Sequence, residues 1–264
     1  MEVNGGTLTA QSISENATAK VLKSDDGASI AYQAIPGRSP CILFIGGYNS
    51  SMAGEKASFL ARYAADRGQA FVRFDPFGHG ASEGRFEDGT IGRWLADTLR
   101  VIDKVVQGPL ILVGSSMGGW LMTLAALTRP ERVSALVGIA SAPDFTEDLM
   151  RPSLTGEDRV ILRRDGVLRR PSAYGGDFII AQQLLDEGRE HLVLRRGLPI
   201  EVPVRLLHGQ ADPDVPPERS LRLAEAIEGS DVRVTLIKDG DHRLSRPQDL
   251  ALLANTLDEL IKNI

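Results

Sequence analysis

The sequence predicts an α/β protein: a doubly wound, mostly parallel sheet carrying a small inserted cap. Three observations predict it. From residue 41 to residue 140, short apolar strands alternate with amphipathic helical stretches, the pattern of successive β-α units. The alternation resumes near residue 201 and continues to residue 264. Between about 141 and 200 it lapses, which divides a single domain spanning 1–264 into a core (19–140 and 201–264) and a cap.

The 42% hydrophobic and 25% charged content is that of an ordinary globular chain long enough to bury a sizeable core. A net charge of -5, with no long run of Lys or Arg, gives a polyanion nothing to track, so no nucleic-acid partner is expected. The apolar runs are strand-length, so no membrane span is expected. The N-terminus is polar, carries Glu2 and Glu15, and has no Arg before Arg38, which argues against an organelle leader and for a cytoplasmic placement. A single cysteine, Cys41, excludes an internal disulfide and any multi-cysteine metal site; at the head of CILFI it reads as a buried structural thiol.

In order, residues 19–35 read as a hairpin turning at Asp25-Asp26-Gly27, an antiparallel edge to the sheet. Residues 41–45 are wholly apolar, as a strand covered on both faces must be, and run into Gly46-Gly47-Tyr48-Asn49. A helix follows at 53–67, placing Phe59, Leu60, Tyr63 and Ala64 on one face and stopping at Gly68. The strand AFVRF enters Asp75-Pro76-Phe77-Gly78-His79-Gly80, whose turn-forming residues suggest a structural loop. Residues 90–106 make an amphipathic helix, and 120–127 one apolar almost all round, as a helix buried on a sheet should be. A strand at 132–140 completes the first half. In the cap, residues 177–187 look helical, and Arg163/Arg164 and Arg169/Arg170 could hold a substrate carboxylate, although pairing with neighbouring acids on a solvated face is preferred. Then come a strand at 203–208, a helix at 217–227, the strand VRVTLI, and a final amphipathic helix opening at Pro247.

The chemistry is concentrated in residues 110–122, where an apolar strand runs into Gly114-Ser115-Ser116-Met117-Gly118 and out into an apolar helix. Only Ser116 has glycine two residues before and after it, and a nucleophile on so sharp a turn needs uncrowded flanks. The turn opens a helix, so the Met117 N–H would face charge developing on an attacked carbonyl. The glycine loop at 46–49 is placed to supply a second such donor, with the N–H of Tyr48 expected and that of Gly47 the alternative.

A serine hydroxyl needs an oriented imidazole to take its proton. Of the four histidines, His79 precedes the serine in a turn, His191 falls in the cap, and His208 ends a strand, where it would brace the following loop. His242 follows the last strand and is the expected base. The loop after His208 offers Asp212 and Asp214; Asp212 can reach across toward His242, while Asp214 would cap the helix near Pro217. Asp241 would have to fold back on its neighbour, and Asp144 follows an earlier strand. Asp212 is therefore the expected acid.

The segments GSSMGGW, DPFGHGASEG, HGQADPDVP and GDHRLS, in this order, resemble the α/β-hydrolase superfamily over nearly the whole chain. FIGGYNSSMAGEKA, FVRFDPFGHGASEGRFEDGTIGRW and GSSMGGWLM look more narrowly like its palmitoyl-protein thioesterase and acyl-glucuronide esterase group, typified by the tenth α/β-hydrolase-domain protein of animal mitochondria. The resemblance implies Ser116, Asp212 and His242 as a catalytic triad, Tyr48 and Met117 as oxyanion donors, and hydrolysis of an ester or thioester without metal or organic cofactor. The alternatives are a general carboxylesterase or monoacylglycerol-type lipase and, from another class, a ligand-binding protein on the same scaffold. An acylated or small-molecule substrate is the expected partner.

Overall fold

The computed structural model describes residues 19–172 and 175–264. The polar N-terminal stretch read above, with Glu2 and Glu15, lies outside the described residues. An eight-stranded sheet forms the centre, in the spatial order β1 (Lys20–Lys23), β2 (Ser29–Ile35), β4 (Gln69–Asp75), β3 (Arg38–Ile45), β5 (Leu110–Ser115), β6 (Val133–Ile139), β9 (Val204–Gly209) and β10 (Val232–Ile237). β1 and β2 pair antiparallel, as do β2 and β4, which makes the predicted hairpin the antiparallel edge. Every pairing from β4 through β10 is parallel.

The strands from β3 to β6 are apolar on both faces because helices cover both. Along β3, Leu43 and Ile45 point into one core and Ile42 and Phe44 into the other. On the second face lie α1 (Glu55–Arg67) and α7 (Pro247–Asn263), which bury Leu60, Tyr63, Leu253 and Leu257. The first face carries α2 (Ile91–Lys104) and α3 (Met117–Thr128), with α6 (Glu218–Ala226) farther along. Each residue of α3 from Met117 to Ala126 is buried, which accounts for its lack of a polar face. Full burial of one such leucine, as at Leu121, is worth roughly 1.5–3 kcal/mol before entropy is counted.

The chain leaves β3 toward β4 on one side and returns to β5 on the other, so the strand order reverses between β3 and β5. Crevices at the carboxyl ends of strands at such a reversal are where this class of sheet binds its ligands. Residues between β6 and β9 cover that crevice. They form a π-helical turn at Thr146–Met150, α4 (Gly156–Asp165), an antiparallel hairpin of β7 (Val167–Pro171) and β8 (Asp177–Ala181), and the short α5 (Gln182–Glu187).

The helix expected at 177–187 is therefore corrected: its first half is a strand and only Gln182–Glu187 is helical. Phe178 and Ile180 face Arg170 and Leu168 across the hairpin, and this cross-strand pairing overrides a helical spacing that five apolar residues satisfied equally well. Helix α6 is preceded by Pro217, which carries no side-chain capping group, and the Asp214 amide donates to Asp212 Oδ1 at 2.9 Å.

Candidate active site

The ends of β3, β5, β9 and β10 meet along one edge of the sheet, and each delivers part of the site. At the end of β5, Ser116 has φ 56° and ψ -118°, a backbone conformation that costs a non-glycine residue about 1–3 kcal/mol. Its surroundings impose it. The Ser116 amide donates to Ile139 O at 2.9 Å, and its carbonyl accepts from the amides of Gly119 (2.9 Å) and Ala142 (3.0 Å). A side chain at Gly114 would collide with the Gly118 carbonyl, and one at Gly118 with the carbonyls of Ile45 and Gly46. The two glycines allow strand, turn and helix to close onto each other, leaving the serine hydroxyl uncrowded.

His242 Nε2 lies 3.0 Å from Ser116 Oγ, and its Nδ1 lies 2.8 Å from Asp212 Oδ2. The carboxylate accepts at Nδ1, so that nitrogen carries the proton and Nε2 is left free to accept one from the serine. Asp212 Oδ1 accepts the amides of Asp214 and Val215, both at 2.9 Å. Burial pushes the Asp212 carboxyl up, but hydrogen bonds from His208 and His242, the His242 charge and the Val215 amide outweigh it and hold the group well below the usual carboxylate range. His208 braces the loop from beneath: Nδ1 accepts from Ser220 Oγ at 2.7 Å, and Nε2 donates to Val215 O at 2.9 Å, with Asp212 Oδ2 at 3.3 Å.

The other candidates point elsewhere. Both oxygens of Asp144 accept backbone amides, from Val193 (2.8 Å) and Leu194 (2.9 Å), and Asp241 accepts from Leu244 N at 2.9 Å. His79 is buried against Phe86 and Trp94, and His191 pairs with Glu187 at 2.7 Å. Cys41 is buried, which pushes its thiol up to about 12.

The loop after β3 packs against the serine. A methyl group placed on Gly47 would meet Ser116 Cβ at 3.2 Å, so the chain segment carrying the Gly47 and Tyr48 amides runs beside the hydroxyl. Met117 is the first residue of α3, where helix geometry leaves N–H groups without intrahelical acceptors.

Above this edge opens a cleft of about 660 Å³. One wall is apolar, made by Phe145, Leu149, Met150 and Phe178 of the inserted segment with Ala142 and Val215. Among the described residues its charged lining is balanced: Lys56, Arg170 and Arg243 against Glu55, Asp177 and Asp214. Of the two arginine pairs, Arg164 binds Asp165, Arg169 binds Glu87, Arg170 binds Asp158, and Arg163 is exposed. Only Arg170 reaches the cleft, already paired, so a carboxylate clamp of four arginines is not formed.

A model of the α/β hydrolase fold matches residues 40–165. Mouse palmitoyl-protein thioesterase ABHD10, mitochondrial, is 41% identical over 252 residues, covering 95% of this chain and 84% of the mouse protein. The chain belongs to the α/β-hydrolase family. The solved structure of mouse α/β hydrolase domain-containing protein 10 superposes with a TM-score of 0.86, covering 94% of this chain and 99% of the mouse one. A hydrolase described as putative, from Agrobacterium vitis S4, is 40% identical with a TM-score of 0.88 over 92% of this chain and 98% of its own. With this family shown, the chain is a serine hydrolase of the ester and thioester class. No described helix of this hydrolase is long and apolar enough to cross a membrane.

Two contacts of the hydrolase were not readable in the sequence. The Tyr48 hydroxyl donates to Ile179 O on β8 at 2.6 Å, and its ring stands among Phe86, Trp94, Phe145 and Phe178, so a residue of the loop beside the serine also anchors the inserted hairpin. The His208 to Asp212 contact is the other. Its spacing of four residues was available, but only a loop folded back over its own strand end turns that spacing into a contact.

Proposed function

We propose that the protein hydrolyses long-chain acyl thioesters, with the corresponding oxygen esters as slower substrates, through an acyl-enzyme on Ser116. The observation that carries the reading is the continuous Ser116–His242–Asp212 hydrogen-bonded chain at the floor of a cleft with an apolar wall.

The chemistry follows from the geometry. His242 Nε2 takes the Ser116 proton as Oγ attacks the acyl carbonyl carbon, and Asp212 keeps the ring in the required tautomer and stabilises the imidazolium. Negative charge grows on the carbonyl oxygen, and the amides of Tyr48 and Met117 are the donors we assign to it. His242 then returns the proton to the leaving thiolate or alkoxide. Water, deprotonated by the same imidazole, attacks the acyl-serine, and collapse of the second tetrahedral intermediate regenerates Ser116 and releases the acid.

Cleft size and lining support the substrate class. About 660 Å³ lies within the roughly 300–1,000 Å³ typical of small-molecule sites, and Phe145, Leu149, Met150 and Phe178 offer an acyl chain a surface that excludes water. The balanced charges of the lining give no field that would select a polyanionic leaving group. The mouse relative is by name a palmitoyl-protein thioesterase, which supports a long acyl chain and a thiol leaving group here too.

The test is a kinetic screen of the wild type and Ser116→Ala on matched acyl thioesters and oxygen esters, from acetyl to palmitoyl. The expected result is turnover with an optimum at long thioesters and an inert mutant. A preference for short oxygen esters would point to a general carboxylesterase, and a wild type as idle as the mutant would point to a binding protein.

A further inference from the structure

We propose that Lys56 is a positioning residue for His242, an ammonium group that holds the histidine-bearing loop in register with Ser116 from the neighbouring helix; the proposal rests on the catalytic roles assigned above.

Lys56 sits in the first turn of α1 and lines the cleft. Its Nζ donates to the carbonyl of Arg243, the residue directly after His242. Next to it, Glu55 pairs with the Arg243 guanidinium at 3.6 Å. Two successive residues of α1 thus grip Arg243, one by its backbone and one by its side chain. The loop needs holding at this point. Leu244 has φ 43°, a left-handed conformation that leucine adopts only under constraint; its amide donates to Asp241 Oδ1 at 2.9 Å, and the Ser245 hydroxyl donates to the same Arg243 carbonyl at 3.1 Å.

Nζ forms no ion pair among the described residues, and its hydrogen-bond partner is the Arg243 carbonyl. Burial pushes the amine down to about 8, the Arg243 charge adds to this, and Asp241, Glu55 and Asp249 oppose it. At neutral pH the lysine is charged and its bond to the carbonyl is the stronger for it; above about 8 the amine is neutral and the bond weakens.

The experiment compares the wild type, Lys56→Met and Lys56→Arg on a p-nitrophenyl ester from the active range, with Ser116→Ala as the blank and thermal melting as the check on folding. Lys56→Met is expected to lose about 10- to 100-fold in kcat, the effect of displacing a reacting group by up to about 1 Å, with KM little changed. Lys56→Arg is expected to recover most of the loss. The wild-type kcat should fall as pH rises through about 8, and Lys56→Arg should not show that fall. A Lys56→Met enzyme with wild-type kcat, or one that loses only in KM, overturns the proposal. So does Lys56→Arg performing no better than Lys56→Met. Should Lys56→Met fail to fold, the comparison of wild-type and Lys56→Arg pH profiles decides. A wild type no more active than Ser116→Ala instead removes the assigned roles, and the proposal with them.

Discussion

Ser116 and His242 are separated by 126 residues and joined by one hydrogen bond of 3.0 Å. The serine is delivered by the end of β5 and the histidine by the loop after β10, with β6 and β9 between the two strands. The contact therefore reports the register of half the sheet as well as the chemistry of the site.

Ser116 carries backbone strain that its hydrogen bonds to Ile139, Gly119 and Ala142 hold in place. Replacing it with glycine, which accepts φ 56° freely, should raise stability by about 1 kcal/mol after the lost bond to His242 is counted, or roughly 2–4 °C in Tm, while abolishing turnover. Thermal melting of Ser116→Gly beside Ser116→Ala checks this: alanine removes the hydroxyl but keeps the strain, so only glycine should stabilise.

Asp212→Asn preserves the acceptor for the amides of Asp214 and Val215 but offers His242 Nδ1 an amide in place of a carboxylate. The imidazole should then carry its proton on the wrong nitrogen, and kcat should fall about 10⁴-fold with the fold intact. Steady-state kinetics and circular dichroism together test it. A loss under tenfold would mean that another group orients the ring.

Tyr48→Phe removes one hydroxyl and leaves Ile179 O without its donor. The expected cost is about 1 kcal/mol of stability, and the β7–β8 hairpin over the cleft should loosen. Hydrogen exchange at residues 177–181 should quicken, and KM for long acyl substrates should rise more than kcat falls.

Asp97 supplies a pH signature unrelated to catalysis. Burial raises its carboxyl to about 6, against the hydrogen bond from Phe77 N and the charge of Arg93. The folded value lies above the unfolded one near 3.8, so the fold holds this proton more tightly than the unfolded chain does. Its stabilising contribution is complete below about 4 and is lost as pH rises through about 6, a change of the order of 3 kcal/mol. Urea denaturation from pH 4 to 7.5 should show that decline in the wild type and a flatter profile in Asp97→Asn, a comparison that isolates the Asp97 term from other groups titrating in the same window.

Much of this molecule was legible in the sequence because it is written in local rules. A strand buried on both faces has no polar residues to spare, so Cys41–Ile45 and Leu110–Val113 were visible as central strands, and their alternation with helices named the architecture. Ser116 stood out because its turn admits only glycine at 114 and 118, and four histidines were few enough to sort by their place in the chain order. The inserted segment was less legible. Its apolar residues at 178, 180 and 181 suit a helix face as well as a strand, and pairing with Leu168 and Arg170, fixed only when the hairpin closes, made the choice.

The sequence by itself determined the architecture and singled out Ser116 as the nucleophile we propose, since both rest on neighbours within a few residues. Tertiary structure alone decided that Asp212 turns both oxygens onto its partners while Asp144 spends both on amides, that Tyr48 ties the inserted hairpin to the core, and that Lys56 reaches the carbonyl beside His242. These contacts span 30 to 187 residues wherever they cross between elements, as in His242 to Asp212 and Lys56 to Arg243. No local spacing encodes them, because their partners are chosen by which strand ends the sheet sets side by side.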